Sequence, residues 1–270
     1  MEFQCMKFSS LAQCLSYIHV HFHQVDPGPG GDPAYLYRGE CGTWSETLTR
    51  MDRYVFSDDA EIRDIVAEEL DHVTAYVMSA RFPTILDAKM RAAYGQHYGF
   101  PTQIYDFGAS LDVAAYFAST DDVSPEHPVG FIGVLDVKAA REKKACALFD
   151  LRKHPNAVRA QRQAAFGLIY SAFTLGPSDL KNHECAQALG LKWFAFDHHV
   201  GEHSRLLEQR KFLIDIENDL GADLAERFVD EYVATQGPLN SLTAKTLGKL
   251  IPPTVGRTVE SNTAACSRRT

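Results

Sequence analysis

Four stretches of this 270-residue chain carry side chains whose types and spacing could do chemistry. The first is Tyr37-Arg38-Gly39. It sets a bidentate cation beside a residue that leaves the backbone open, which suits a pyrophosphate. A surface arginine before a turn would read the same way. The second runs from Gln96 to Ala118 and holds Gln96-His97-Tyr98-Gly99-Phe100-Pro101-Thr102, Tyr105-Asp106-Phe107, Ser110 and Ala114-Ala115-Tyr116-Phe117-Ala118. Amide, imidazole, carboxylate and hydroxyl groups crowd there around two chain reversals. The competing account is a helix terminus with His97 stabilised by the macrodipole. His97 has a type suited to proton transfer, with an ordinary pKa of about 6.5. The third is Arg159-Ala160-Gln161-Arg162-Gln163. On a strand both amides would share one side; on a helix they would be ordinary solvated side chains. The fourth, His199-Val200-Gly201-Glu202-His203, has the His-x-x-Glu-His spelling of inverted zinc hydrolases. Gly201 weakens the helix that chemistry needs, and no downstream third ligand is evident. His19, His21 and His23 fall in a helical pattern that spreads them around the axis.

The elements that must position these groups follow from periodicity. Ser9-Ser10 precede Leu11, Cys14, Leu15, Ile18 and Phe22, the pattern of a capped helix ending near Gln24. Asp26 to Pro33 is a Pro/Gly loop. Ala34 to Arg38 reads as a short strand stopped by Gly39. A long helix opens at Asp58 and ends at Pro83, and a second covers Leu86 to Tyr98. Ser110 caps a third, compact helix. Strands are expected at Val129–Val137, Ala165–Tyr170 and Lys192–Phe196, with helices at 203–218 and 221–234. Helices bunched early and strands later predict an α+β domain.

Composition narrows the class. The chain is 45% hydrophobic and 23% charged with net charge −8, values of an ordinary globular protein. No apolar run approaches the roughly 18 residues of a membrane helix, so no membrane role is expected. No secretory signal is visible after Met1, and the six cysteines are scattered without metal or redox spacing, which predicts reduced thiols in a cytoplasm. Residues 237–270 carry five basic side chains against one acid and no aromatic ring, so a basic, unpacked tail is expected after a single 1–236 domain. The body then carries −12, which argues mildly against constitutive nucleic-acid binding.

The motifs resemble those of the FRG domain family, named for its aromatic-Arg-Gly element. Tyr37-Arg38-Gly39 is similar to that signature, and Gln96 to Thr102 matches the family's Gln-His-aromatic-Gly-apolar-Pro-Thr segment. Asp106-Phe107 and Ala114–Ala118 match its continuation, with Gly108 where the family usually has Thr. The likeness covers about residues 8–166, its closing motif falling on Gln161 or Gln163. The family's layout looks like that of ADP-ribosyltransferases, which implies mixed and antiparallel sheets with an N-terminal helical portion. It implies NAD as substrate, no metal, and a macromolecular acceptor, RNA, DNA or protein. By that analogy Arg38 holds the pyrophosphate or nicotinamide ribose, and Ser110 and Tyr116 line the nicotinamide pocket. Gln161 and Gln163 sit where a late acidic pair sits, while Tyr37, Gly39, Gln96, Tyr98, Thr102 and Phe117 complete the binding set. His97 and Asp106 join Arg38 as the catalytic candidates. Glutamine keeps a hydrogen bond but loses the charge that opposes an oxocarbenium-like state. The resemblance further implies a toxic effector of bacterial defence or of a toxin–antitoxin system, with a neutralising partner protein. The competing class is a non-enzymatic nucleotide- or protein-binding module; a zinc hydrolase built on His199, Glu202 and His203 is the minor rival.

Overall fold

Seven strands form one mixed sheet in the computed structural model, which describes residues 5–24, 27–42, 47–119, 128–142, 146–155, 157–170, 179–199, 213 and 229–250. The strands are β1 (Met6–Phe8), β2 (Tyr35–Cys41), β3 (Tyr105–Gly108), β4 (Val129–Asp136), β5 (Cys146–Asp150), β6 (Ala165–Tyr170) and β7 (Leu191–Asp197). Their order across the sheet is β1-β7-β4-β2-β3-β6-β5. Only β1 and β7 run parallel among the described pairs.

One junction in this sheet matters most. β2 pairs with β4 along its whole length, from Tyr35 opposite Asp136 to Cys41 opposite Gly130. β3 pairs with β6 over all four of its residues. Between β2 and β3 a single register pair remains, Tyr37 opposite Gly108. The sheet is thus two fully paired halves hinged at one residue. Beyond that hinge Arg38 to Cys41 form one lip of an opening, and Tyr105 to Phe107 form the other.

Helices α1 (Leu11–Phe22) and α5 (Leu111–Ser119) cover one face of the larger half. Leu11, Cys14, Ile18, Ala114 and Ala118 pack there on Tyr37, Ile132, Val134, Phe194 and Phe196. Ser10 caps α1, its hydroxyl accepting from the Gln13 N–H at 3.3 Å, as the Ser9-Ser10 pair predicted. On the opposite face Leu36, Phe107, Phe131, Phe166, Leu168 and Trp193 join Val137 and Ala140 of α6 (Val137–Arg141) and Leu189 of α8 (His183–Leu189). A third cluster, built by α3 (Ala67–Arg81) and α4 (Ala88–His97), covers the smaller half through Ala93, Phe100, Ile104 and Ala165. A π-helical turn, Ile62–Val66, leads into α3, so the helical pattern from Asp58 changes winding part-way. Further helices include α2 (Arg50–Val55), α7 (Val158–Arg162) and α9 (Ser241–Leu250).

Several expectations change. Gly39 does not stop β2; the strand continues through it to Cys41. The reason is packing: a Cβ on Gly39 would collide with the carbonyl oxygen of Ala114 and sit 2.7 Å from the Ala118 nitrogen. The α5 backbone therefore lies directly on β2, and glycine is what lets it. Residues 237–250 are not an unpacked tail, because α9 buries Thr243 and Leu247, the latter among the α2–α4 residues. The Glu69 carboxylate accepts from the Asn240 backbone at 3.1 Å and fixes the start of that segment. The helix expected at 203–218 lies outside the described residues except at Leu213, which is helical; of that expected at 221–234, residues 229–234 are described and helical. Among the described residues Cys5, Cys14, Cys41, Cys146 and Cys185 form no disulfide. No helix among the described residues is long and apolar enough to cross a membrane.

Candidate functional site

The opening between β2 and β3 is a cleft of about 520 Å³, within the range of small-molecule sites. Four elements converge on it. β2 supplies Tyr37, Arg38, Gly39 and Glu40; α4 with its C-terminal turn supplies Gln96, His97 and Tyr98. β3 supplies Asp106, and α5 supplies Phe117. From the α7 end come Arg159 and Gln163, and from α2 come Arg50 and Arg53, three positions apart on one helical face.

The Gln96–Thr102 segment explains itself in this setting. α4 ends at His97, and Gly99 takes φ +91°, the left-handed conformation that terminates helices. The Phe100 N–H then donates back to the Gly95 carbonyl at 2.9 Å. That reversal returns the chain across the helix end, where the Thr102 hydroxyl donates to Gln96 Oε1 at 3.1 Å. With its oxygen so engaged, Gln96 presents Nε2 to Asp106 Oδ2, also at 3.1 Å. Gln96 and Thr102 are therefore a bracket for one carboxylate. Thr102 serves it from behind and does not line the cleft.

Asp106 keeps its second oxygen in reserve. Oδ1 is buried and has no hydrogen-bond partner among the described residues. Burial pushes the Asp106 carboxyl above the ordinary carboxylate range, against the pull of Arg38 and Gln96. Arg38 lies against the same residue: its Nη1 donates to the Asp106 carbonyl at 2.9 Å and its Nε to Glu40 Oε1 at 2.7 Å. Nη2 has no hydrogen-bond partner among the described residues, and 22% of the side chain stays exposed in the cleft. Glu40 is bonded in turn by the Thr47 hydroxyl at 2.8 Å and the Lys181 ammonium at 3.1 Å.

His97 is partly exposed as a residue, but its Nε2 is buried and unpartnered among the described residues. Desolvation, aided by the Arg159 charge, pushes its pKa down to about 3, although a hydrogen bond to the Arg159 backbone favours the protonated ring. That bond uses the other ring nitrogen, which leaves Nε2 a bare acceptor. At neutral pH the imidazole is uncharged and too weak a base to take a proton from a hydroxyl. The sign for stability follows. The unfolded chain binds a proton at about pH 6.5 that the fold refuses until about pH 3, so His97 erodes stability as pH falls through that window. His97→Gln should flatten the loss between pH 7 and pH 5 by at most about 2 kcal/mol. Urea titrations at both pH values check this; parallel losses in both proteins would show that the ring takes up its proton freely.

The cleft assembles part of the expected set. Tyr37, Arg38, Gly39, Gln96, His97, Tyr98, Asp106, Phe117 and Gln163 line it. Ser110 does not; its hydroxyl caps α5, accepting from the Val113 N–H at 3.4 Å. Tyr116 does not line it either; it is buried with Val113 and Leu213. Gln161 and Gln163 are on α7 and its C-terminal cap, so no Gln-x-Gln strand exists. Gln161 donates to the His154 carbonyl at 2.8 Å, while Gln163 lines the cleft with its amide committed to the Leu213 carbonyl at 2.7 Å. Glu40, Arg50, Arg53 and Arg159 were missing from the expected set. Arg159 opens the third stretch singled out above, and Glu40 has an accessible signal in its place two residues after Arg38 on one strand face.

The rival zinc cluster falls mostly outside the described residues, which include His199 but neither Glu202 nor His203. His199 Nε2 lies 2.6 Å from the Ser9 carbonyl. Among the described residues no group of three or more His, Cys, Asp or Glu side chains could hold a metal ion.

No curated protein and no solved structure matches the chain. A family model does: residues 33–127 match the FRG domain. That stretch begins just before β2, ends beyond α5 and holds Arg38, the Gln96–Thr102 bracket and Asp106. Arg159, Gln163 and Lys181 complete the surroundings from further along the chain. Over residues 33–127, about a third of its length, this chain is similar to the FRG domain.

Proposed function

We propose that the cleft binds NAD and transfers its ADP-ribose to a macromolecular acceptor, RNA, DNA or protein. One observation carries this reading: Arg38 and Asp106 line one cleft and touch through Arg38 Nη1 and the Asp106 carbonyl, while Arg38 Nη2, a donor on a cation, and Asp106 Oδ1, a buried acceptor on a carboxylate, have no hydrogen-bond partner among the described residues. An anionic group beside hydroxyl donors, as in a ribose linked to a diphosphate, is the ligand chemistry that answers both. Arg50, Arg53 and Arg159, which also line the cleft, add to the attraction for phosphate.

In the transfer the bond from C1′ of the ribose to the nicotinamide nitrogen breaks, and nicotinamide leaves with the electron pair. Positive charge develops on the sugar, as in glycoside hydrolysis. Asp106 opposes that charge and Arg38 holds the diphosphate. The acceptor atom then bonds to C1′. Since His97 is so weak a base, the reading favours acceptors whose attacking atom is already unprotonated at neutral pH, such as a phosphate or carboxylate oxygen or a nucleobase ring nitrogen. An ADP-ribosyltransferase-like layout, and a toxic effector held in check by a partner protein, are what the FRG resemblance implies.

Purified protein incubated with labelled NAD and total cell lysate tests the proposal by nicotinamide release and label transfer. Asp106→Asn should lower release about 100-fold while ADP-ribose binding stays within a few-fold. No release and no label, from wild type and Asp106→Asn alike, would sink the transferase reading. The helical placement of Gln161 and Gln163 favours a second reading, a nucleotide-binding module without transfer. ADP-ribose binding with no nicotinamide release is its signature.

A further inference from the structure

We infer that Glu40 and Lys181 are positioning residues, a buried acid and base that aim Arg38 into the cleft. The inference rests on the reading of the cleft as a phosphate-bearing ligand site. Arg38 and Glu40 alternate with Gly39 along β2, so both side chains leave the same face of the strand. Glu40 Oε1 accepts from Arg38 Nε at 2.7 Å. Its second oxygen is shared by the Thr47 hydroxyl at 2.8 Å and Lys181 Nζ at 3.1 Å.

Burial makes this arrangement unusual. The Glu40 side chain is 9% exposed and that of Lys181 only 2%. An isolated Arg–Glu pair is neutral and attracts an anion weakly. Lys181 brings a second cation to Glu40, so Arg38 is less fully neutralised than in an isolated pair, and its Nη2 has no hydrogen-bond partner among the described residues. The Lys181 ammonium is further stabilised over the Phe131 ring at 4.3 Å and lies 5.7 Å from the Trp193 ring. Burial alone would raise the Glu40 carboxyl, yet the two cations hold it below the ordinary glutamate range. Lys181 lies well beyond residues 33–127, so one of the two groups that hold the second oxygen of Glu40 comes from outside the matched segment.

Charge and positioning predict opposite signs. If Glu40 merely diluted positive charge, removing it would tighten anion binding; if it aims Arg38, removing it weakens binding. Glu40→Gln alone takes a carboxylate away from the buried Lys181 and risks unfolding. The informative pair is therefore Glu40→Gln/Lys181→Met, which keeps an acceptor for Arg38 Nε, and Glu40→Ala/Lys181→Met, which does not. Calorimetric titration with ADP-ribose should place the first within about threefold of wild type and the second at least about tenfold weaker. Thermal unfolding of both double variants identifies the folded fraction used in each fit. Equal or tighter binding by Glu40→Ala/Lys181→Met overturns the inference. If wild type ignores ADP-ribose, the ligand reading has failed, and the same series is read with inorganic pyrophosphate, which needs only the aimed cation. Absence of pyrophosphate binding to wild type, or its indifference to Glu40→Ala/Lys181→Met, overturns the positioning role as well.

Discussion

Arg38→Lys is expected to reduce NAD turnover and ADP-ribose affinity by at least about 100-fold in a protein that still folds. Arg38 performs two tasks with one planar group. Nε and Nη1 tie it to Glu40 and to the Asp106 carbonyl, and Nη2 remains for the ligand. A lysine ammonium keeps the charge but is a single point. It can neutralise Glu40 or reach the ligand, and it cannot span both lips of the opening at once. Arg38→Ala is the less informative change. It deprives Glu40 of one of its two cations in a setting where breaking a buried pair costs about 3–5 kcal/mol, so lost activity would mix with lost fold. The measurement is nicotinamide release together with calorimetric binding, beside unfolding midpoints of both proteins. Turnover by Arg38→Lys within tenfold of wild type would mean that the fork geometry is irrelevant, and the diphosphate would have to be held elsewhere.

How much of this was legible in the residue string depends on how local each cause is. The Gln96–Thr102 segment was visible as a dense cluster, and its structural logic is local: a helix end, a left-handed glycine and a hydroxyl returned to an amide six residues back. α1, β4, β6 and β7 follow from caps and alternation, and each stands close to where periodicity puts it. β3 was not read as a strand because four residues ending in glycine show too little alternation; their pairing with β6 is a long-range fact. The late glutamines illustrate the converse. Two amides two apart fit a strand as well as a helix locally, and only Ala164 at φ +48°, turning the chain from α7 into β6, decides it. Lys181 was beyond reach, since no spacing in the sequence ties it to Arg38. The cleft itself arises from a missing stretch of pairing between β2 and β3, and a pairing that fails has no residue to announce it.

Gly39→Ala is the second large effect, and it separates two reasons for a glycine. Gly39 is an ordinary strand residue without positive φ, so backbone freedom is not what it supplies. It supplies room, because the added methyl would overlap the Ala114 carbonyl oxygen, with the Ala114 carbonyl carbon at 2.8 Å and the Ala118 nitrogen at 2.7 Å. Those are backbone atoms of α5, which cannot rotate aside as a side chain would. The whole helix must lift, and with it the Val113, Ala114 and Phe117 wall of the cleft. We expect a stability loss of about 3 kcal/mol, at the upper end for overpacked cores, and weaker ADP-ribose binding in the fraction that remains folded. Ala114→Gly should not rescue it, since the collision is with the carbonyl and not with the Ala114 side chain. Gly28 is the control: it has φ +78° and open space where a Cβ would stand, so Gly28→Ala should cost only the left-handed backbone penalty of about 1 kcal/mol and leave binding unchanged. Urea unfolding of the three variants checks the ranking. A Gly39→Ala protein as stable as Gly28→Ala would show that α5 is free to move on β2, and the lip carrying Arg38 would then owe its placement to β4 alone.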